Sequence, residues 1–299
     1  MPLRILHHPS SLAHDTGPGH PERPARIEAI TTRLRAAPFA MEWVSAPAAE
    51  RAQLEAVHPA EQLDLLQAAA RAGGGRVDED TVLSEQSWTA AIHAAGAAVA
   101  AARSALDGVP AFAMVRPPGH HATAHQAMGF CLINNVVVAA RAALDQWDLA
   151  RVLIVDWDVH HGNGTQDLVW DDARIRFVSL HQWPLYPGTG RVEERGAHGN
   201  VFNVPLPPGL SRARYVSALN DAVAQATEGW QPELMLISAG FDAMAGDPLA
   251  GFTLEPDDYA SWVTTWRGLG APIASTLEGG YAPARIAVGA AAHARALAS

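Results

Sequence analysis

Short apolar runs alternate with longer stretches of helical periodicity along the chain. The runs at 3–6, 112–115, 152–155, 175–180, 201–204, 234–237 and 273–277 are too short for helices and read as buried strands. Between them, apolar spacing of three and four predicts helices over 24–36, 59–72, 87–106, 135–144, 211–227, 256–269 and 283–297. Several of these begin on a Pro or Ser, which suits a first helical turn. Alternation of this kind predicts βαβ units and an α/β fold, a central, mostly parallel β-sheet flanked by helices. No linker composition interrupts residues 1–299, so a single domain is expected.

The polar clusters follow the strands. RPPGHH comes after the second run, DWDVHHGNG ends the third, SAGFDA ends the sixth and EGGY follows the seventh. Open parallel sheets bind ligands at the carboxyl ends of their strands, so these scattered segments can meet at one site. Asp156, Asp158, His160 and His161 fall within nine residues behind an apolar run. If that segment stays extended, alternation turns Asp158 and His160 to one side, and Asp242 can join them from another strand end. Two carboxylates and an imidazole suit one catalytic Zn²⁺, and the same donors accept Fe²⁺, Co²⁺ or Mn²⁺. His120 and His121, in a loop stiffened by two prolines, are candidates for proton transfer or for metal binding, and spacing alone does not decide between them.

Composition narrows the function classes. Hydrophobic residues make up 48% and charged residues 17% of the chain, as in a protein with a large core. The net charge of -10 argues against a nucleic-acid platform and fits a cationic substrate. All 21 basic residues are Arg, so the chain has no lysine. The single cysteine, Cys131, excludes an internal disulfide, no run is long and apolar enough to span a bilayer, and no leader pattern opens the sequence. The expectation is a cytoplasmic protein.

RPPGHH, GFCLINN, DWDVHHGNGT, SLHQWPLYPGTG and SAGFDAMAGDPL, in this order between His20 and Tyr281, resemble the histone deacetylase family of the arginase–deacetylase fold. The resemblance implies a zinc-dependent amidohydrolase acting on an acylated amine such as acyl-lysine, with one ion per chain. Asp158, His160 and Asp242 would be its ligands, His120 and His121 the proton-transfer pair, and Tyr281 the donor to the oxyanion, swung over it by the freedom of Gly279-Gly280. Asp156 would support His120 and contribute, with Ser179, to a potassium site. Asn163 would support His121, as in the class II branch, whose neutral amide leaves the imidazole less basic than an Asp would. Gly129 and Phe130 resemble the wall of a narrow acyl channel, with Tyr186 a second aromatic and Leu249 at the position where polyamine-selective relatives carry an acid. Cys131 is expected as a buried neighbour and Trp157 as packing beneath the metal loop. An acetylpolyamine amidohydrolase is the alternative within the fold. A binding module would have lost a ligand or Tyr281, and an arginase-type enzyme needs two manganese ions and further ligands. Oligomerisation is left open.

Overall fold

The computed structural model describes residues 2–299 and confirms the strand–helix alternation. The strands are β1 (Leu3–His7), β2 (Met41–Ser45), β3 (Gly74–Arg76), β4 (Val82–Ser84), β5 (Ala111–Ala113), β6 (Val152–Asp156), β7 (Ile175–Gln182), β8 (Val201–Leu206), β9 (Leu234–Ala239) and β10 (Ile273–Leu277). The helices are α1 (Ser10–Ala13), α2 (Ala25–Arg35), α3 (Arg51–Glu55), α4 (Ala60–Arg71), α5 (Ser87–Leu106), α6 (Asn135–Gln146), α7 (Asn163–Val169), α8 (Arg212–Thr227), α9 (Pro256–Trp266) and α10 (Pro283–Ala298). Every apolar run of the sequence is a strand of one sheet. Its order is β2-β1-β5-β10-β9-β6-β7-β8, and every pairing in it is parallel.

Both faces of the sheet are covered, which is why its central strands β5, β10, β9 and β6 are buried along their whole length instead of alternating. Ala111, Ala113, Val152, Ile154 and Phe177 face the layer of α4, α5 and α6. Phe112, Leu153, Val155, Val178 and Ile237 face α2, α8, α9 and α10. The Ala-rich side of α5, from Ala90 to Ala105, lies close on the sheet because its side chains are small. Trp157 is fully buried in the second layer, stacked on Trp262 at 5.4 Å and edge-on to His293 at 5.1 Å.

Three helices and three strands escape the periodicity reading. β2 is a half-buried edge strand with a charged residue inside it, and β3 is Gly-Gly-Arg, with no apolar side chain. α1, α3 and α7 are four, five and seven residues long, too short to show a helical period.

The chain leaves β5, passes through α6 and returns as β6 three places along the sheet, so β10 and β9 fill the gap between them. It runs on through β7 and β8, then returns to β9 beside β6 and steps the other way to β10, and this reversal of direction opens a crevice above the carboxyl ends of β6 and β9. A buried ion cluster closes one side of it. The Glu22 carboxylate accepts from Arg26 Nη1 at 3.0 Å and from Arg116 Nη2 at 2.8 Å, and all three side chains are shut off from solvent. Burial alone would raise the Glu22 carboxyl, but Arg116 and then Arg26 hold it down at about 2.

Glu22→Gln leaves two buried cations under-compensated and should cost about 3–5 kcal/mol. The folded pKa lies below the value of 4.5 for an unperturbed Glu. The carboxylate's contribution is therefore complete above about pH 4.5 and lost as pH falls through about 2. Urea unfolding of both chains should show a gap at pH 7 that narrows through this window; a gap independent of pH would assign the loss to packing.

Candidate active site

β6 ends on Asp156, and the residues beyond it are folded by their own carboxylates. The Asp158 N–H donates to Asp156 Oδ1 at 3.0 Å and the His160 N–H to Asp158 Oδ1 at 2.9 Å. This corrects the expectation of an extended segment: Asp158 and His160 converge through side-chain-closed turns, not strand alternation. Asp242, just beyond β9, is held by the Val159 N–H on Oδ1 at 2.9 Å, and Asp158 Oδ2 accepts the Gly279 N–H at 2.7 Å. His160 Nδ1 then lies 3.1 Å from Asp158 Oδ1 and 3.2 Å from Asp242 Oδ2.

One donor atom from each of these three buried residues falls within 4.8 Å of the others. Two oxygens and an imidazole nitrogen, backed by main-chain amides and open toward a channel, fit a divalent ion. A Cβ at Gly279 would collide with the carboxylates of both Asp158 and Asp242, so glycine is needed here for close approach. The protein's own groups leave the cluster short of positive charge. Burial, reinforced by the Asp158 charge, pushes Asp242 up to about 7. Burial opposes the His160 cation, but the two carboxylates overcome it and raise the ring to about 10.

The loop after β5 carries the two other imidazoles. Its main chain hangs on Glu278, whose Oε2 accepts the N–H of Gly119 at 2.7 Å and of His120 at 3.2 Å. His120 Nδ1 faces Asp156 Oδ2 at 3.0 Å, and His121 Nδ1 faces Asn163 Oδ1 at 2.7 Å. These are the two pairings expected from the sequence. They divide the proton states. Burial disfavours the His120 cation, yet Asp158 and Asp156 raise it to about 10, whereas burial and the neighbouring imidazoles of His120 and His160 press His121 well below its ordinary value. A dication on Asp158 would cancel the largest of the charges acting on His120.

Above this floor a channel of about 280 Å³ is lined by His121, His160, Gly129, Phe130, Tyr186, Leu249 and Tyr281, with Leu185 and Asp80 added. All four channel residues expected from the sequence meet here. Phe130 stands edge-on to Tyr281 at 5.7 Å, and Tyr186 edge-on to His121 at 5.1 Å. Gly129 has φ 55°, and a side chain there would strike the His121 ring. Phe130 takes φ 68°, a strained value for an aromatic residue, and its N–H is held by Thr81 Oγ1 at 3.0 Å. Cys131 is buried beside the site, its thiol pushed well up by burial.

Tyr281 is not free to swing, contrary to the expectation from Gly279-Gly280. Arg26 Nε donates to the Gly280 carbonyl at 2.6 Å and Arg26 Nη2 to that of Glu278, while the Tyr281 N–H donates to Asp247 Oδ2 at 2.7 Å. Sequence reasoning missed Glu22, Arg26, Arg116, Asp247 and Glu278 as supports, and Asp80 as a channel residue. The i, i+4 spacing of Glu22 and Arg26 was a visible signal; Arg116, Asp247 and Glu278 stand inside the motifs RPPGHH, SAGFDAMAGDPL and EGGY but had no role assigned to them, and nothing local marked Asp80.

A parallel sheet with a candidate metal centre at its switch point, beside paired imidazoles and a buried phenol, has the parts of a metal-dependent hydrolase. The chain belongs to the histone deacetylase family, whose domain model matches residues 20–297. It is 35% identical to a probable deacetylase of Methanothermobacter thermautotrophicus over 93% of this chain and 86% of that one. With the histone deacetylase-like amidohydrolase of Pseudomonas aeruginosa it shares 36% identity over 90% and 74% of the two chains. The crystal structure of the HDA15 HD domain superposes with a TM-score of 0.94 at 35% identity, covering 99% of this chain and 88% of that one.

The protonation of the three-residue cluster yields a test. Below about pH 7 a dication must displace a proton from Asp242 as well as from His160, so its affinity should rise steeply with pH up to about 7 and more gently from there until His160 itself loses its proton near 10. Titration calorimetry of the metal-free chain in two buffers of different ionisation enthalpy should show at least one proton released at pH 6.5. Zero release would remove these residues from the ion site.

Proposed function

We propose that the chain is a zinc-dependent deacylase that removes acetyl or other acyl groups from an amine such as Nε-acetyl-lysine. The observation that carries this reading is the meeting of a three-residue candidate metal cluster with His121 and Tyr281 at the floor of one narrow, largely apolar channel. In this reading Asp158, His160 and Asp242 hold the ion. When bound, a dication supplies Lewis acidity, polarising a carbonyl and lowering the pKa of water to about 7.

The remaining chemistry belongs to the chain's own side chains. His121, kept neutral by burial and oriented by Asn163, accepts the proton of the attacking water. His120, paired through Nδ1 with Asp156 at 3.0 Å, carries a proton for the departing amine. Tyr281 lines the channel together with Leu249 and donates its hydroxyl to the oxyanion. Phe130, Gly129 and Leu249 accept the alkyl stem and exclude a bulky one.

Ser179 lies in register with Asp156 on the neighbouring strand, and this carries the assignment of a potassium ion beside that pair. Acetylpolyamines form a second reading. Asp80 at the channel wall, next to Asp78 and Glu79, favours a substrate with a distal cation, while Leu249 offers no charge to bind one. Turnover of the zinc-loaded enzyme against acetyl-lysine peptides, acetylpolyamines and aryl amides tests the reading; no hydrolysis of any of them would overturn it.

Tyr281→Phe should lower kcat on acetyl-lysine about 100- to 1,000-fold, the usual range for losing one oxyanion donor. Bound zinc and KM should stay near the wild-type values, because the hydroxyl acts on the transition state more than the ground state. Near-normal kcat, or loss of zinc, would give the phenol another role.

A further inference from the structure

We propose that Asp247 is a positioning residue that fixes Tyr281 and the channel wall at Leu249 with a single carboxylate, so that the side of the channel and the oxyanion donor are set together. The inference rests on the reading of Tyr281 as that donor. Asp247 stands on the loop between β9 and α9 that also bears Asp242 and Leu249, and it is 8% exposed. Its Oδ2 accepts the Tyr281 N–H at 2.7 Å and its Oδ1 accepts the Leu249 N–H at 3.0 Å.

The choice of an acid here requires a reason. A buried carboxylate is costly unless it is paired, and among the described residues no Arg or His forms an ion pair with Asp247. Only main-chain amides solvate it. A carboxylate has acceptors on both oxygens, whereas an Asn of the same shape accepts on one and turns an NH₂ toward the other N–H. The site therefore needs two amides gathered from different segments, one at residue 249 and one at residue 281. The neighbouring residues already spend their polar groups elsewhere: Asp158 takes the Gly279 N–H and Arg26 takes the Gly280 carbonyl. Asp247 takes the Tyr281 N–H itself, while the ring is flanked by the Arg26 guanidinium at 5.1 Å from its centroid and by an edge-on Phe130.

A consequence separates positioning from mere support. Contacts that a substrate makes with Leu249 are transmitted through Asp247 to the backbone of Tyr281, so a poorly fitting stem is penalised in kcat more than in KM.

The test uses Asp247→Asn in the full-length zinc enzyme. Zinc content and KM for an acetyl-lysine peptide should stay within about twofold of wild type, while kcat falls at least tenfold, as expected for a displaced donor. In a Tyr281→Phe background the same change should cost less than twofold, because the group it positions is already gone. An equal loss in both backgrounds would overturn the proposal. Amide hydrogen exchange supplies a readout that needs no turnover: the Tyr281 N–H should exchange at least 100-fold faster in the Asn variant, with α5 and the central strands unchanged. Retained protection at Tyr281 would also sink the clamp. If wild-type chain lacked amidase activity but Tyr281 lost protection in the variant, the functional reading would fall and the clamp would stand. Should Asn not fold, Asp247→Glu keeps the charge, displaces both acceptor oxygens by one methylene and carries the same expectations.

Discussion

A single buried carboxylate, Glu22, sits between two guanidiniums, and the site's geometry depends on it. Arg116 immediately precedes the loop of His120 and His121, and Arg26 grips the carbonyls of Glu278 and Gly280 on the segment that ends in Tyr281. Without Glu22 the two cations would repel each other in a medium that screens poorly, and the imidazole loop and the phenol segment would lose their common anchor. The cluster contributes less to net stability than its Coulomb attraction implies, since three charges had to leave water. What it supplies is registry, holding two loops from distant parts of the sequence at fixed separation.

The same economy extends outward from the candidate metal residues. Asp158, Asp242, Asp247 and Glu278 are all buried acids, and each accepts at least one main-chain N–H. These amides replace hydration at no cost in reorganisation, because the strand ends and turns already fix their direction. Different partners for chemically identical side chains then create different acids and bases. His120 lies among the charges of Asp158 and Asp156 while His121 is buried against an amide and two other imidazoles, so these two adjacent rings, 3.9 Å apart, are shifted in opposite directions.

Much of this was legible in the sequence, and for a physical reason. A parallel sheet buried on both faces writes its strands as unbroken apolar runs, so seven of the eight strands of the main sheet and all the long helices stood out. Asp158, His160 and Asp242 were visible because three metal-type side chains clustered where strands end. The edge strand β2 was not, since an edge demands little apolar surface. Asp247 and Glu278 were not, because a carboxylate that binds distant main-chain amides leaves no periodicity and no local spacing to read. Asp80 entered the channel through the β3–β4 hairpin, whose strand Gly74–Arg76 offers no apolar pattern.

The segment from Glu278 to Tyr281 shows how a pair of glycines can serve rigidity. Read alone, Gly279-Gly280 promises a hinge. In the structure the Glu278 N–H binds the Ala239 carbonyl, the Gly279 carbonyl accepts from Phe241, and Arg26, Asp158 and Asp247 take most of the other polar groups. Gly279 is small so that two carboxylates can come close, and Gly280 adopts φ 117°, which an L side chain rarely tolerates. Conformational freedom in the unfolded chain is thus converted into a backbone path that no other residue could follow, and its fixity places the phenol. In the proposed reaction, a donor that must meet a transient oxyanion gains from being held in place beforehand, since any motion needed to reach it would add to the barrier. The glycines, the ion cluster and the buried acids therefore serve one end: they settle the position of Tyr281 before substrate arrives.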